Sequence, residues 1–423
     1  SFRFSIEWSR IEPREGYFDP NGIQFYHNLL NAIRERGMTP LVTLVHFNYP
    51  QWLIDDLPGN KVGLENPEFI PYFLRFTEKV VREYGRDIRY WLTFNEPNIW
   101  VPGAYLVGAT PPGKHNPFAT LRACWNVLKA HAKAYDLIHS LDPDAMVSSN
   151  VFYVLPKPFG PITPPPGGEF DSSSAVTTLT EQNILDTDWF FESANTGRIT
   201  LDPKVFFEDN KLQTKSIRQK TLAEELQETD LRGRPLPDDQ IRPRADSGVG
   251  KLGKFDYVAF DYYYRFRTIN QVLNITKPWL MENYPSGLYD AIMYYQKKYN
   301  KPVMIAENGM ATEDLMPRAD GWTREGSLVE HVKYMQQAIS SGAQVIGYYH
   351  WSITDNYEWG SFRPRFGLYS INALVDPTMK RVPTRSVYAF TDIIRHNGVN
   401  AEIVAKYTKP EPATNSRAVK TTR

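Results

Sequence analysis

Two short stretches of this chain end in residues that can do chemistry. In Trp91–Leu92–Thr93–Phe94–Asn95–Glu96–Pro97, bulky, β-branched and aromatic residues read as a strand. Pro97 cannot continue a ladder and closes it. The strand delivers an amide, Asn95, beside a carboxylate, Glu96. Asn95 offers a donor and an acceptor to a polar ligand. Much later, Val303–Met304–Ile305–Ala306–Glu307–Asn308–Gly309 repeats the design, with an apolar strand, a carboxylate, and Asn-Gly as a turn. Two glutamates at two strand ends suggest a pair working on one bond.

The elements that must hold such a pair are legible. Strands are expected at Phe2–Ile6, Leu41–His46, Tyr90–Asn95, Ala145–Phe152, Phe255–Tyr262, Val303–Glu307 and Val345–Trp351. Between them the apolar spacing turns helical. Ile23, Tyr26, Leu29, Leu30 and Ile33 mark a helix over Gly22–Arg36, with Gly37 as its stop. Further helices are expected over Pro67–Tyr84, Ala119–Ser140, Ile184–Glu192, Gly287–Tyr299, Arg324–Ser341 and Ser386–Arg395. Repeated strand–helix units predict a parallel sheet with helices outside it. His46, Asn95, Glu96, Tyr262, Tyr263, Glu307, His350 and Trp351 all fall at C-terminal strand ends. That rim carries the active site of a (β/α)8 TIM barrel. A doubly wound sheet would gather its site at one switch point, and no GxGxxG loop opens a helix here. The α/β reading is therefore a (β/α)8 barrel. Its eighth unit has no counterpart, and Ser1 is expected to enter at the second strand.

Composition narrows the function. Lys plus Arg is 48 and Asp plus Glu is 48, which argues against a nucleic-acid binder, since that function wants a basic face. The single cysteine, Cys124, excludes an internal disulfide framework. No apolar run is long enough to cross a bilayer, so no membrane partner is expected. A cytoplasmic location is the expectation from one cysteine and no visible export signal. The proline- and glycine-rich stretch at about 155–171 and the charged stretch at about 200–254 read as excursions from one domain, residues 1–405. A helical piece is expected near Ser216–Thr229, and residues 406–423 read as a C-terminal extension.

Taken together, Phe2–Arg10 (FRFSIEWSR), Thr43–His46 (TLVH) with Pro50 and Trp52, Thr93–Pro97 (TFNEP), Glu307–Gly309 (ENG) and Trp351–Trp359 (WSITDNYEW) resemble glycoside hydrolase family 1. The resemblance runs in order to about Asp376. It implies a retaining β-glycosidase acting on terminal, non-phosphorylated β-D-glucosides, and on galactosides or fucosides as further candidates. It implies Glu96 as acid/base and Glu307 as nucleophile. It also implies Arg3, His46, Asn95, Tyr263, Trp351, Glu358 and Trp359 in or near the site of the terminal sugar. Three departures stand out. The family's first strand–helix unit has no match, Phe47 follows His46 where the family usually has Trp, and Asp261-Tyr262-Tyr263 replaces Asn-Tyr-Tyr.

The chemistry suits those residue types. A glycosidic bond needs a proton on its leaving oxygen and a partner for the oxocarbenium-like carbon. The proton donor, Glu96, should have its pKa raised by burial and by the other carboxylate. Arg3 would keep Glu307 ionised, and Tyr263 would hydrogen-bond it. His46, Asn95 and Glu358 would form a polar ring for sugar hydroxyls, with Trp351 as the floor beneath the sugar. Glu358-Trp359 would read the hydroxyls at the far end. A carboxylate there repels a phosphate, which favours an uncharged sugar. Phe366 either lines that end or packs in the core. Asp355-Asn356 reads as a structural hydrogen-bonding pair, and no metal or other cofactor is expected. The expected partner is a small-molecule β-glycoside or oligosaccharide. The alternatives are a transglycosylase, a non-catalytic carbohydrate-binding barrel, and an incomplete or engineered barrel fragment of weak or no activity.

Overall fold

Strands in this chain alternate with helices whose ends are written in side chains. The computed structural model describes residues 1–55, 63–154, 188–196, 207–208, 211–212, 226, 229–234, 253–265, 276–314 and 316–408. The expected stretch at 155–171, most of Ser216–Thr229 and of 200–254, and the tail beyond 408 lie outside these residues.

Seven strands form the main sheet among the described residues. They are β1 (Phe2–Ser5), β2 (Pro40–Val45), β3 (Tyr90–Asn95), β4 (Met146–Phe152), β5 (Val258–Tyr262), β6 (Val303–Asn308) and β7 (Val345–His350). Their order in the sheet is their order in the chain. The pairs from β1 to β5 are parallel. Sequential parallel neighbours require a crossover each time, and helices supply it. The first is α1 (Pro20–Glu35), capped by Asp19, whose carboxylate accepts from Asn21 N–H at 3.0 Å. Gly37 ends it at φ +63°, the left-handed region a glycine adopts without steric cost. Next come α2 (Phe69–Tyr84), α3 (Pro97–Tyr105) and α4 (Pro117–Leu141). Asn116 caps α4 by accepting from the N–H groups of Phe118 and Ala119. They are followed by α5 (Asp188–Thr196), α6 (Ser286–Tyr299), α7 (Arg324–Ser340) and α8 (Arg385–His396). Thr323 and Thr384 cap α7 and α8.

The described chain divides into two compact units. The first is Ser1–Asp261, Tyr295–Ala306 and Gln344–Tyr349; the second is Tyr262–Tyr294, Glu307–Ala343 and His350–Arg423. The first contains the sheet up to the last residues of β5, β6 and β7. Its interior shows how the sheet curves. Leu41, Leu92, Tyr257, Ala259, Met304 and Ala306 form one buried cluster, with Tyr90, Met146 and Tyr349 packed against it. These residues come from β2 through β7, so the strands wrap around a shared core and the sheet is a nearly closed barrel. Arg3 on β1 reaches across that interior and donates to the Ala306 carbonyl at 3.1 Å. On the outer side, α2 buries Phe69, Phe73 and Phe76. Each such ring is worth roughly 1.5–3 kcal/mol over its exposed state. The two end strands are less covered: β1 is partly exposed throughout, and Ile346 on β7 is 39% exposed.

In the second unit, α7, α8 and the helix Ala401–Tyr407 pack together, burying Ala389, Ile393, Ile403 and Tyr407. Among the described residues no helix is long and apolar enough to cross a membrane.

Candidate active site

The predicted site residues divide between the two units. In the first, β3 carries Asn95 and Glu96, and the strand does not keep a simple period of two. Leu92 faces the barrel core. Thr93 faces outward, its Oγ1 2.7 Å from His131 Nδ1 on α4. Phe94 also faces outward, its ring 4.7 Å from that of Phe73 on α2. The register with β4 slips between Leu92 and Asn95. That irregularity restores Asn95 to the interior, where strict alternation would have aimed it at the helices.

Arg3 then fixes it. The guanidinium donates from Nη2 to Asn95 Oδ1 at 2.6 Å and from Nε to Thr43 Oγ1 at 3.2 Å. Asn150 on β4 donates to the same Asn95 oxygen at 2.7 Å. Both partners want an acceptor, so the Asn95 amide has one orientation. Its Nδ2 is buried with no hydrogen-bond partner among the described residues, a donor held ready for a ligand. His46 sits just past β2, its Nδ1 3.3 Å from Ser5 Oγ.

Glu96 takes φ +41° and ψ +54°, left-handed values that cost a non-glycine residue roughly 1–3 kcal/mol. Its N–H donates to the Asn150 carbonyl at 2.9 Å. Its own carbonyl accepts from Ile99 and Trp100, opening α3. The chain is thus held on both sides of a strained residue, and Glu96 is only 4% exposed. The helix α3 was not foreseen, because Pro97 and Pro102 mask its pattern; Pro97 is in fact well placed at a helix start.

In the second unit Glu307 follows Ala306 on β6 and is 5% exposed. Tyr263 Oη donates to Glu307 Oε2 at 2.6 Å. Phe366 is buried and meets the Tyr263 ring edge-on at 5.8 Å. Trp351 Nε1 donates to Glu358 Oε1 at 2.7 Å, which ties the aromatic platform to the acidic residue. Trp359 is half-buried at φ +50°. Asn308, read from the sequence as a turn residue, holds two strand ends together. Its Nδ2 donates to the Tyr262 carbonyl at 2.6 Å, and its carbonyl accepts from Trp351 N–H at 2.9 Å. Gly309 is needed for room: a Cβ there would lie 2.1 Å from the Trp351 carbonyl oxygen. Asp355 accepts from the N–H groups of Gly367 and Ile371 and pairs with Arg365, the structural role its sequence suggested.

Glu358 is electrostatically unusual. Burial pushes its carboxyl up to about 7, the nearby Glu307 charge adds to this, and the Trp351 hydrogen bond opposes it. The unfolded chain releases this proton near the ordinary glutamate value of 4.5, whereas the fold keeps it to about 7. Stability is therefore lost as pH rises through that window, by about 3 kcal/mol at the usual conversion of about 1.4 kcal/mol per pH unit. Glu358→Gln is expected to melt several degrees above the parent at pH 8 and level with it at pH 4.5. Equal melting curves at pH 8 would show that Glu358 ionises freely in the fold.

With these positions in hand, relatives can be compared. The family model described as glycosyl hydrolase family 1 matches residues 1–399. The chain belongs to this family. A β-galactosidase of Pyrococcus woesei is 27% identical over 95% of this chain and 84% of its own length. β-Glucosidase A of Acetivibrio thermocellus is 29% identical over 94% and 83%. A solved β-glycosidase from Pyrococcus horikoshii superposes with a TM-score of 0.67 at 27% identity, over 97% of this chain and 84% of that one. The protein is thus a family 1 glycoside hydrolase with the TIM-barrel fold of its relatives.

Proposed function

We propose that the protein is a retaining β-glycosidase that releases uncharged terminal sugars, β-D-glucosides foremost. The observation that carries this reading is family membership over residues 1–399 in a chain that keeps both glutamates, each buried at a strand end.

In the first step the Glu96 carboxyl gives its proton to the glycosidic oxygen. The bond from that oxygen to the anomeric carbon breaks and the aglycone leaves as an alcohol. The Glu307 carboxylate bonds to the same carbon, forming a glycosyl ester. In the second step the Glu96 carboxylate takes a proton from water. The water oxygen bonds to the anomeric carbon and Glu307 departs as the carboxylate. Two inversions give net retention. Tyr263 holds the attacking carboxylate by its 2.6 Å hydrogen bond and fixes its orientation. The Asn95 amide donor and the Trp351–Glu358 pair supply hydroxyl recognition and a stacking face. A Glu358 that is protonated in about half of the molecules near neutrality can donate as well as accept.

The test is proton NMR during hydrolysis of an aryl β-D-glucoside. The β-anomer should appear first and mutarotate later. First appearance of the α-anomer would mean inversion and would overturn the double displacement. In the presence of methanol, methyl β-glucoside as the dominant product would favour the transglycosylase reading.

A further inference from the structure

We propose that Asp261 is a positioning residue for the general acid: its buried carboxylate holds the proton on Glu96 in the resting enzyme. The inference deepens the function proposed above and rests on it.

Asp261 lies on β5 and is fully buried. One of its carboxylate oxygens lies within 4.8 Å of a Glu96 carboxylate oxygen. Two carboxylates that close, both out of water, resist ionising together, and the pair shares its titration. The hydrogen bond made to Asp261 suits an anion. Asn150 Nδ2 donates to Asp261 Oδ2. Its Oδ1 in turn accepts from Arg3 Nη2 at 3.4 Å. The line Arg3–Asn150–Asp261 thus runs from a guanidinium to a carboxylate through one amide and stabilises Asp261 as the anion. Aspartate also has the lower ordinary pKa of the two residue types. The proton is left on Glu96.

The other charged or titratable groups at the strand ends are Arg3 on β1, His46 after β2, Tyr262 and Tyr263 at the end of β5, Glu307 on β6 and His350 on β7; β4 contributes the neutral Asn150, and the first turn of α3 has none. A carboxylate at position 261 also serves the second step. Once Glu96 has given up its proton, the adjacent Asp261 charge makes it a stronger base toward water.

The experiment is the pH dependence of kcat/KM for Asp261→Asn and Asp261→Thr, read with an alkyl β-glucoside whose departure needs protonation. Both variants are expected to move the alkaline limb to lower pH by about one unit or more. With 2,4-dinitrophenyl β-glucoside, whose leaving group needs no proton, the limb should not move. Folded variants whose alkaline limb stays with the parent's would overturn the inference. A second measurement needs no Asp261 variant. The infrared band of a protonated carboxyl at pH 6 should lose intensity in Glu96→Gln, and an unchanged band would also overturn it. A parent that hydrolyses no glycoside would instead overturn the proposed function.

Discussion

Glu307→Gln is expected to lower kcat on aryl β-D-glucosides by about 10⁴-fold or more, since no covalent intermediate can form. The substitution keeps the size of the side chain and the Tyr263 hydroxyl can still donate to the amide oxygen, so the fold should survive. The hydrogen bond at 2.6 Å would be weakened, not removed. What is lost is the attacking electron pair. Glu307→Gly sharpens the test, because added azide can occupy the opened space and attack from the same face. The product should then be the α-glycosyl azide, formed by a single inversion. A β-azide, or undiminished turnover in Glu307→Gln, would remove Glu307 from the role of nucleophile.

Glu96→Ala should show a different signature. Its cost should track the leaving group: about 10²- to 10⁴-fold for alkyl glucosides and little in the first step for 2,4-dinitrophenyl glucoside. For that activated substrate the second step becomes limiting, since no base remains to take the proton from water, and a burst of dinitrophenolate should precede slow turnover. Azide should rescue this variant with retention, giving the β-glycosyl azide. A uniform loss across leaving groups would point to collapse of the local backbone, where Glu96 holds left-handed dihedrals between the Asn150 carbonyl and the start of α3. Melting curves of the variant separate these outcomes.

Both predictions concern residues visible from the sequence, and the reason is local. Glu96 and Glu307 each follow an apolar strand, and a strand's period and end can be read in a few neighbouring residues. The same holds for all seven strands, whose observed bounds lie within a few residues of those expected. The caps Asp19, Asn116, Thr323 and Thr384 were not read from the sequence and come from the structure, although each acts over only two or three residues.

Side-chain direction and partnership were decided elsewhere. Strict alternation along β3 would put Asn95 on the outer face. The slip between Leu92 and Asn95 turns it inward, and that slip depends on Thr93 meeting His131 and Phe94 meeting Phe73. These partners lie far along the chain, on helices packed against the strand. Asn150 gave no signal of its own, since one polar residue in an otherwise ordinary strand is unremarkable. Only the curled sheet brings it between Arg3, Asn95 and Asp261, more than 50 positions away in the nearest case. Gly309 shows the same division: Asn-Gly announces a turn, but the carbonyl of Trp351 is what forbids a side chain there. The sequence by itself determined which residues stand at the strand ends, because strand and helix periods are short-range. The tertiary structure alone decided which of them face the interior and what each one touches, because those contacts join residues the chain keeps far apart.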